Sequence, residues 1–121
     1  MLLDTNILVA YLNDDTSVVE SVKNWFSQGT VLFVSAVSYA EVLALPEASS
    51  TDLDKMRDFL EYFVVIDVNK DVAETTALLK RKYKLRFPDA AIAATAYRTR
   101  VPLVTRDKQF RKVDEITVLA I

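Results

Sequence analysis

The feature of this sequence that most constrains its fold is a regular alternation of short apolar runs with longer helical patterns. The runs are rich in β-branched residues, which favour strands. Strands that alternate with helices predict a sheet of mostly parallel strands covered by helices. The candidate strands cover 1–4, 31–35, 63–67, 102–105 and 117–120.

The segments between these runs carry apolar residues at helical spacing. In the first of them Val18, Val22 and Trp25 fall on one stripe, and the last is rich in alanine, which suits close packing against a sheet. There is no linker, repeat or low-complexity segment. We therefore expect a single domain over residues 1–121 with an α/β fold, a three-layer α/β/α arrangement around a mostly parallel sheet of about five strands. The candidate helices cover 17–26, 52–62, 72–83 and 88–98.

The composition excludes several classes of chemistry. The chain has no histidine and no cysteine, so histidine acid–base catalysis, thiolate nucleophiles and the usual zinc ligands are absent. Its single glycine, Gly29, excludes glycine-rich phosphate loops. Any catalysis must therefore depend on carboxylates, hydroxyls, amines and a metal that carboxylates can hold.

Four acidic residues are predicted to meet at one edge of the sheet. Asp4 follows the first strand and Asp107 follows the fourth, and ligands of open parallel sheets bind outside the carboxyl ends of the strands. Glu41 lies on the helix after the second strand, and Asp89 lies in the first turn of a later helix. Each acid also has a local interpretation, as a cap, a charge at a helix N-terminus or an exposed helical residue. Together they indicate one cleft.

Four converging carboxylates repel one another unless a cation neutralises them. Hard divalent cations such as Mg²⁺ or Mn²⁺ prefer oxygen ligands of this kind, and Asn6 and Thr105 add neutral oxygens near Asp4 and Asp107. A metal held by carboxylates suits phosphoryl chemistry, because it activates a bound water and stabilises charge on phosphate oxygens. We therefore expect the four acids to be metal ligands.

Charge is distributed unevenly between the two halves of the chain. Residues 1–68 carry three basic and eleven acidic side chains, a net charge of −8, whereas residues 69–121 carry twelve basic and six acidic ones, a net charge of +6. Solvated helix faces are the ordinary explanation of such runs. The more specific explanation is that the C-terminal half forms a surface that binds a polyanion.

Basic residues also flank two of the candidate ligands. Arg86 lies shortly before Asp89, and Arg106 and Lys108 stand on either side of Asp107. A cationic flank beside a metal site would hold the phosphates of a nucleic acid. Arg86, Arg106 and Lys108 are therefore the candidate contacts to a nucleic acid.

The sequence shows no targeting or membrane segment. Its N-terminus lacks a positive region, and Asp4 interrupts the one candidate apolar region of a signal peptide. The longest apolar stretches fall short of the ~20 residues that a membrane span needs. We expect a cytoplasmic protein with no membrane partner.

The four acids lie in the segments LLDTNILVAYL, VSAVSYAEVLAL, LRFPDAAIAATA and LVTRDKQF. In this order, and over nearly the whole chain, these segments resemble the four acidic motifs of PIN-domain ribonucleases. They are most similar to those of the VapC-like toxins of prokaryotic toxin–antitoxin pairs. The resemblance implies a PIN-like fold and hydrolysis of RNA phosphodiester bonds by a water that Mg²⁺ or Mn²⁺ activates.

The resemblance also implies roles for individual residues and partners. The family's metal ligands carry over to Asp4, Glu41, Asp89 and Asp107, and Asn6 and Thr105 match supporting polar positions. The expected partners are an RNA substrate, a second copy in a homodimer, and a cognate antitoxin whose C-terminal segment covers the active-site groove.

One position departs from the family pattern. Many relatives have a further acid two residues after the last motif aspartate, where this chain has Gln109. This favours a single tightly held ion, with a second recruited by substrate.

Two other functions and one other substrate stay open at this point. A catalytically silent PIN-like module could serve as an RNA-binding platform or scaffold, although all four motif acids are present. A phospho-receiver-like signalling domain could use Asp67 as its phosphoacceptor, but the paired acids and the lysine that it needs are missing. We interpret Asp67 instead as a cap for the helix near Val72. The same metal cluster could also cleave DNA.

Overall fold

The computed structural model describes residues 1–46 and 48–121 and contains a five-stranded sheet in the order β3-β2-β1-β4-β5. Each pair of neighbouring strands is parallel. The prediction of a parallel α/β sheet is confirmed, and every candidate strand is present, although each is only two or three residues long. The strands are β1 Leu2–Leu3, β2 Phe33–Ser35, β3 Val64–Ile66, β4 Leu103–Val104 and β5 Val118–Leu119.

Helices flank this sheet and include all those that the apolar periodicity predicted. A short 3₁₀ helix, Lys108–Lys112, follows β4. The sheet order places β1 at the centre, so the residues that follow it lie between those that follow β2 and β4. The helices are α1 Thr5–Leu12, α2 Thr16–Ser27, α3 Ala36–Leu43, α4 Ser50–Leu60, α5 Lys70–Tyr83 and α6 Phe87–Thr99.

The sheet separates two hydrophobic cores. Successive residues of a strand point to opposite faces, so each core receives alternate strand residues. Leu2 lies in the core formed with α5 and α6, and Leu3 lies in the core on the other face with residues of α1, α2 and α3. Leu103 and Val104 divide in the same way. Strands buried on both faces read as continuous apolar runs, which explains the pattern in the sequence.

Helix α6 lies deepest in the fold. Alanine side chains let it pack closely against the sheet, as the sequence predicted, and also against α5. They leave Asp89, in its first turn, buried at the edge of the sheet. The fully or almost fully buried alanines are Ala90, Ala91, Ala93, Ala94 and Ala96.

The predicted cap of α5 was wrong. The N-cap is Asn69, whose side-chain oxygen accepts a hydrogen bond from the Val72 N–H at 2.9 Å. Asp67 lies two residues earlier and is exposed, too far from the first turn to reach its free N–H groups. In the described part of the chain no helix has the length and apolar character that crossing a bilayer requires.

The close packing of α6 gives a direct test. Ala94→Leu should lower the free energy of unfolding by about 1–3 kcal/mol, because the site is fully buried and cannot accept a larger side chain without shifts. Ala77→Leu, at an exposed position of α5, should change it by less than about 0.5 kcal/mol. Urea denaturation followed by circular dichroism measures both. Equal unfolding midpoints for the two variants would contradict this packing.

Candidate functional site

A cleft of about 360 Å³ opens at the carboxyl edge of the sheet. All four acids that the sequence singled out reach it, from the ends of β1 and β4 and from helices α3 and α6. The prediction that these side chains share one cleft therefore agrees with the structure. The lining residues are Asp4, Thr5, Asn6, Val9, Glu41, Arg86, Asp89 and Asp107.

Asp4 is the most deeply buried acid of the cleft, with 4% of its surface exposed. Its backbone N–H extends the β1–β4 ladder to the Val104 carbonyl, and its side chain caps α1. One carboxylate oxygen accepts the Thr5 N–H at 2.8 Å, and the other accepts the Thr105 hydroxyl at 2.6 Å. Both interpretations of Asp4, as a helix cap and as a cleft residue, are therefore correct.

The surroundings of Asp4 disfavour its charged form. The pKa of its carboxyl is raised to about 6, mainly by burial and to a smaller extent by the neighbouring charges of Asp89 and Asp107. The hydrogen bonds from Thr105 and Thr5 act in the opposite direction and offset part of this rise in pKa. Asp4 thus carries a desolvated carboxylate beside two like charges, which an added cation would relieve.

Thr105 connects the residues that follow β1 and β4. Its hydroxyl has one proton, which it donates to Asp4, and its oxygen accepts the Asp107 backbone N–H at 3.0 Å. The Asn6 side-chain amide lies 3.5 Å from the same oxygen, at the limit of a hydrogen bond. Thr105 is 2% exposed, so this arrangement is shielded from water. Thr105, which was predicted to have a supporting role, contacts Asp4 directly, whereas Asn6 is exposed at the rim of the cleft.

Glu41 is held by a residue that the sequence analysis did not single out. Its carboxylate accepts the Thr5 hydroxyl at 2.7 Å, and the same hydroxyl lies 2.9 Å from the Ser38 Oγ. Ser38 and Glu41 are three residues apart and so share one face of α3. The sequence signal for this contact was the three-residue spacing of Ser38 and Glu41, together with the threonine that follows Asp4.

Gln109 joins the two remaining acids. Its side-chain amide nitrogen lies 3.0 Å from Asp89 Oδ2 and 2.7 Å from Asp107 Oδ2. Asp107 is also the N-cap of the 3₁₀ helix, where its Oδ1 accepts the Gln109 backbone N–H at 3.1 Å. The sequence marked Gln109 only as a departure from the family pattern, and the structure shows it in contact with both carboxylates.

The three candidate RNA contacts lie in different surroundings. The exposed side chain of Arg86 lines the cleft and donates from its Nε to Asp89 at 3.1 Å, a bond that raises the pKa of Arg86. Lys108 is exposed beside Asp107. Arg106 points elsewhere, because its guanidinium binds Asp15 at 2.7 Å and the Ile121 carbonyl at 3.0 Å.

The ion pair of Arg106 explains its position. Asp15 caps α2, and the Arg106 side chain lowers the pKa of this carboxyl and contacts Ser17 in the same turn. Arg106 therefore anchors the segment before Asp107 to the start of α2. The expected contact of Arg106 with RNA at the cleft does not agree with this geometry.

The donor set of the cleft matches a hard divalent cation. Carboxylates, hydroxyls and an amide supply oxygen ligands, and the one cationic side chain among the described lining residues is Arg86. No three acids in the described parts of the chain already stand in a metal-holding arrangement. The carboxylates are instead held by hydrogen-bond donors of the protein, Asp4 by Thr5 and Thr105, Glu41 by Thr5, and Asp89 and Asp107 by Gln109. The residues present fit Mg²⁺ or Mn²⁺.

Two other clefts among the described residues lack such a cluster of acids. One of about 470 Å³ lies at the amino ends of β4 and β5, and its one acid, Glu115, is bound to Lys82 and Tyr83. Another, of about 520 Å³, is lined mostly by apolar residues of α1 and α4 and their connections. It shares Val9 with the acidic cleft, so the two adjoin.

Comparison with solved structures places this fold among chains of toxin–antitoxin complexes. A toxin–antitoxin complex from Klebsiella pneumoniae matches with a TM-score of 0.84 and 29% identity over 98% of this chain and 94% of that one. VapBC2 from Rickettsia felis, bound to a DNA fragment from its promoter, matches with a TM-score of 0.85 and 18% identity over 98% and 96%.

DNA-bound VapBC from Salmonella typhimurium gives a TM-score of 0.81 and 22% identity over 98% of this chain and 96% of that one. No curated protein matches the sequence. The model of the PIN domain family matches residues 1–116, which include all four acids of the cleft and Gln109. By that match, and in agreement with the fold, the chain belongs to the PIN domain family.

Proposed function

We propose that this chain is a metal-dependent endoribonuclease that hydrolyses RNA phosphodiester bonds, and that it is the toxin of a VapBC-type pair. The observation that carries the proposal is the convergence of Asp4, Glu41, Asp89 and Asp107 in one cleft of a PIN domain. PIN domains are generally nucleases, which supports the reaction class. The oxygen-only donor set supports Mg²⁺ or Mn²⁺ as the cofactor.

The four acids would hold the ion, which when bound supplies an activated water and charge stabilisation for the phosphate. Thr105 and the Thr5 N–H orient the Asp4 carboxylate toward the cleft, and the Thr5 hydroxyl orients Glu41. These contacts fix the ligands before substrate arrives, which limits the reorganisation needed during reaction.

Arg86 and Lys108 are the proposed RNA contacts at this cleft. Arg86 is mostly exposed, and its remaining guanidinium donors can bind a phosphate while its Nε stays on Asp89. Lys108 follows Asp107 on the exposed side of the 3₁₀ helix. Phosphate contacts of this kind position an RNA strand without reading its sequence.

The partners we propose are an antitoxin and a second copy of the chain. The solved relatives named above are toxin–antitoxin complexes, which supports an antitoxin. The apolar groove of α1 and α4 adjoins the acidic cleft at Val9, so a segment bound along it could continue over the four acids. A homodimer is the second part of this proposal, and we propose the cytoplasm as its location.

Cleavage of RNA is the direct test. With Mn²⁺ the purified chain should cut single-stranded RNA, EDTA should stop the reaction and added Mn²⁺ should restore it. Asp4→Asn should lower kcat/KM by roughly 100-fold or more, because it removes a charge at the reacting centre. Asp58→Asn, an equal charge change at an exposed position of α4, should leave the rate unchanged.

Parallel assays with structured RNA and with DNA identify the substrate. Faster cleavage of DNA than of RNA would indicate that the chain is a deoxyribonuclease and not a ribonuclease. Absence of cleavage in every assay, together with equal Mn²⁺ affinity for wild type and Asp4→Asn, would favour the catalytically silent platform.

The pKa of Asp4 predicts how metal binding depends on pH. Because the folded value of about 6 lies above the ordinary value of 3.8, the metal-free fold favours the protonated carboxyl. The stability that this group contributes is full below its ordinary pKa and is lost as pH rises through about 6. A metal ion needs the ionised form, so its stabilising effect should grow over the same range.

Thermal denaturation with and without Mn²⁺ measures this dependence. The rise in Tm on adding Mn²⁺ should increase between about pH 5 and 7 and then level off. In Asp4→Asn the rise should be smaller and should show no inflection near pH 6. A rise in Tm that is the same at all pH values would exclude Asp4 as the controlling group.

Thr105 offers a test of ligand positioning. Thr105→Val keeps the shape of the side chain but removes the hydroxyl that donates to Asp4, so Mn²⁺ affinity should fall by about 10- to 100-fold. Thr105→Ser retains the hydroxyl and should bind almost as tightly as wild type. Isothermal titration calorimetry compares the three proteins, and equal affinities would show that the Thr105 contact does not position the ligand.

A further inference from the structure

We propose that the Gln109 side chain restricts this cleft to one divalent ion, because its amide bridges Asp89 and Asp107 where a second ion would bind. The inference rests on the metal dependence of the proposed function. In it Gln109 is a positioning residue that acts through the two carboxylates. It also gives the departure of this chain from the family pattern a physical meaning.

The contacts determine which end of the amide faces the acids. Ionised carboxylates only accept hydrogen bonds, so the NH₂ group and not the oxygen of Gln109 must point at them. One nitrogen lies within 3.0 Å of Asp89 Oδ2 and 2.7 Å of Asp107 Oδ2, and it has one N–H for each. The backbone N–H of Gln109 takes the other oxygen of Asp107.

This amide performs part of the task of a cation. Two facing carboxylates need positive charge between them, and the N–H groups of the amide supply partial positive charge between Asp89 and Asp107. An ion at that place would have to displace the amide and break both hydrogen bonds. A glutamate at position 109 would instead add a third carboxylate, which could be balanced only by a further cation.

The rest of the cleft shows where charge is left over. Arg86 contacts the same oxygen of Asp89 as the Gln109 amide does, so the side of Asp89 and Asp107 receives one full and one partial positive charge. Asp4 contacts only the neutral donors Thr5 and Thr105. Glu41 likewise accepts only the neutral Thr5 hydroxyl, so the uncompensated negative charge lies at Asp4 and Glu41, and the one ion would be bound nearest to these two acids.

Titration of the chain over residues 1–121 with Mn²⁺ tests the inference by counting the ions bound per chain. Calorimetry should give one ion per wild-type chain and two per chain of Gln109→Glu. Lys112→Gln makes the same change in net charge at an exposed position of the same 3₁₀ helix and should still bind one. In Gln109→Glu, electron paramagnetic resonance should also show the coupling of two neighbouring Mn²⁺ ions, which a change in stability alone would not produce.

A second variant covers the case in which Gln109→Glu does not fold without metal. Gln109→Ala removes the amide without adding a carboxylate, and it should bind a second Mn²⁺ roughly tenfold or more weakly than Gln109→Glu, because ligand charge sets affinity. Two ions in the wild type, or a second ion in neither variant, would overturn the role of Gln109 and leave the proposed nuclease intact. Absence of any Mn²⁺ binding by the wild type would overturn both.

Discussion

The hydrogen bond between the Thr105 hydroxyl and the Asp4 carboxylate is the interaction on which the site depends. It joins residues 101 positions apart in the chain, and it forms because β1 and β4 are neighbours whose ladder continues through the Asp4 N–H. Without this alignment a carboxylate this deeply buried would have no compensating donor on its inner side. The same bond sets the direction in which Asp4 faces Asp89 and Asp107. The pairing of β1 and β4 therefore positions the hydrogen bond that stabilises the buried carboxylate of the cleft.

Much of this arrangement could be predicted because the signals were local. Alternating apolar runs and helical stripes give the parallel sheet, and an acid directly after a strand is bound to reach its carboxyl edge. The local and functional interpretations of the acids did not compete, since Asp4 and Asp107 cap the elements that follow them while also lining the cleft. An acid at the junction between a strand and the following helix can cap that helix and can also face a ligand at the edge of the sheet.

The features that sequence reasoning missed depend on which way a side chain turns. Nothing local distinguishes Arg106, which binds Asp15, from Lys108, which is exposed beside the cleft. The pairing of Thr5 with Glu41 requires the distance between α1 and α3, and the bridge made by Gln109 requires the start of α6 beside the 3₁₀ helix. The cap of α5 was assigned to Asp67 instead of Asn69 because both residue types cap helices, and only the first turn itself selects one.

The two-residue length of β1 has a consequence for how such a domain can change over time. The strand contributes one side chain to each core, Leu2 to one and Leu3 to the other, and the two pack against different layers of helices. The layers share the backbone of the strand but not its side chains. Each layer can therefore accumulate its own substitutions, and acquire its own surfaces, while the backbone between them keeps the acidic edge in register.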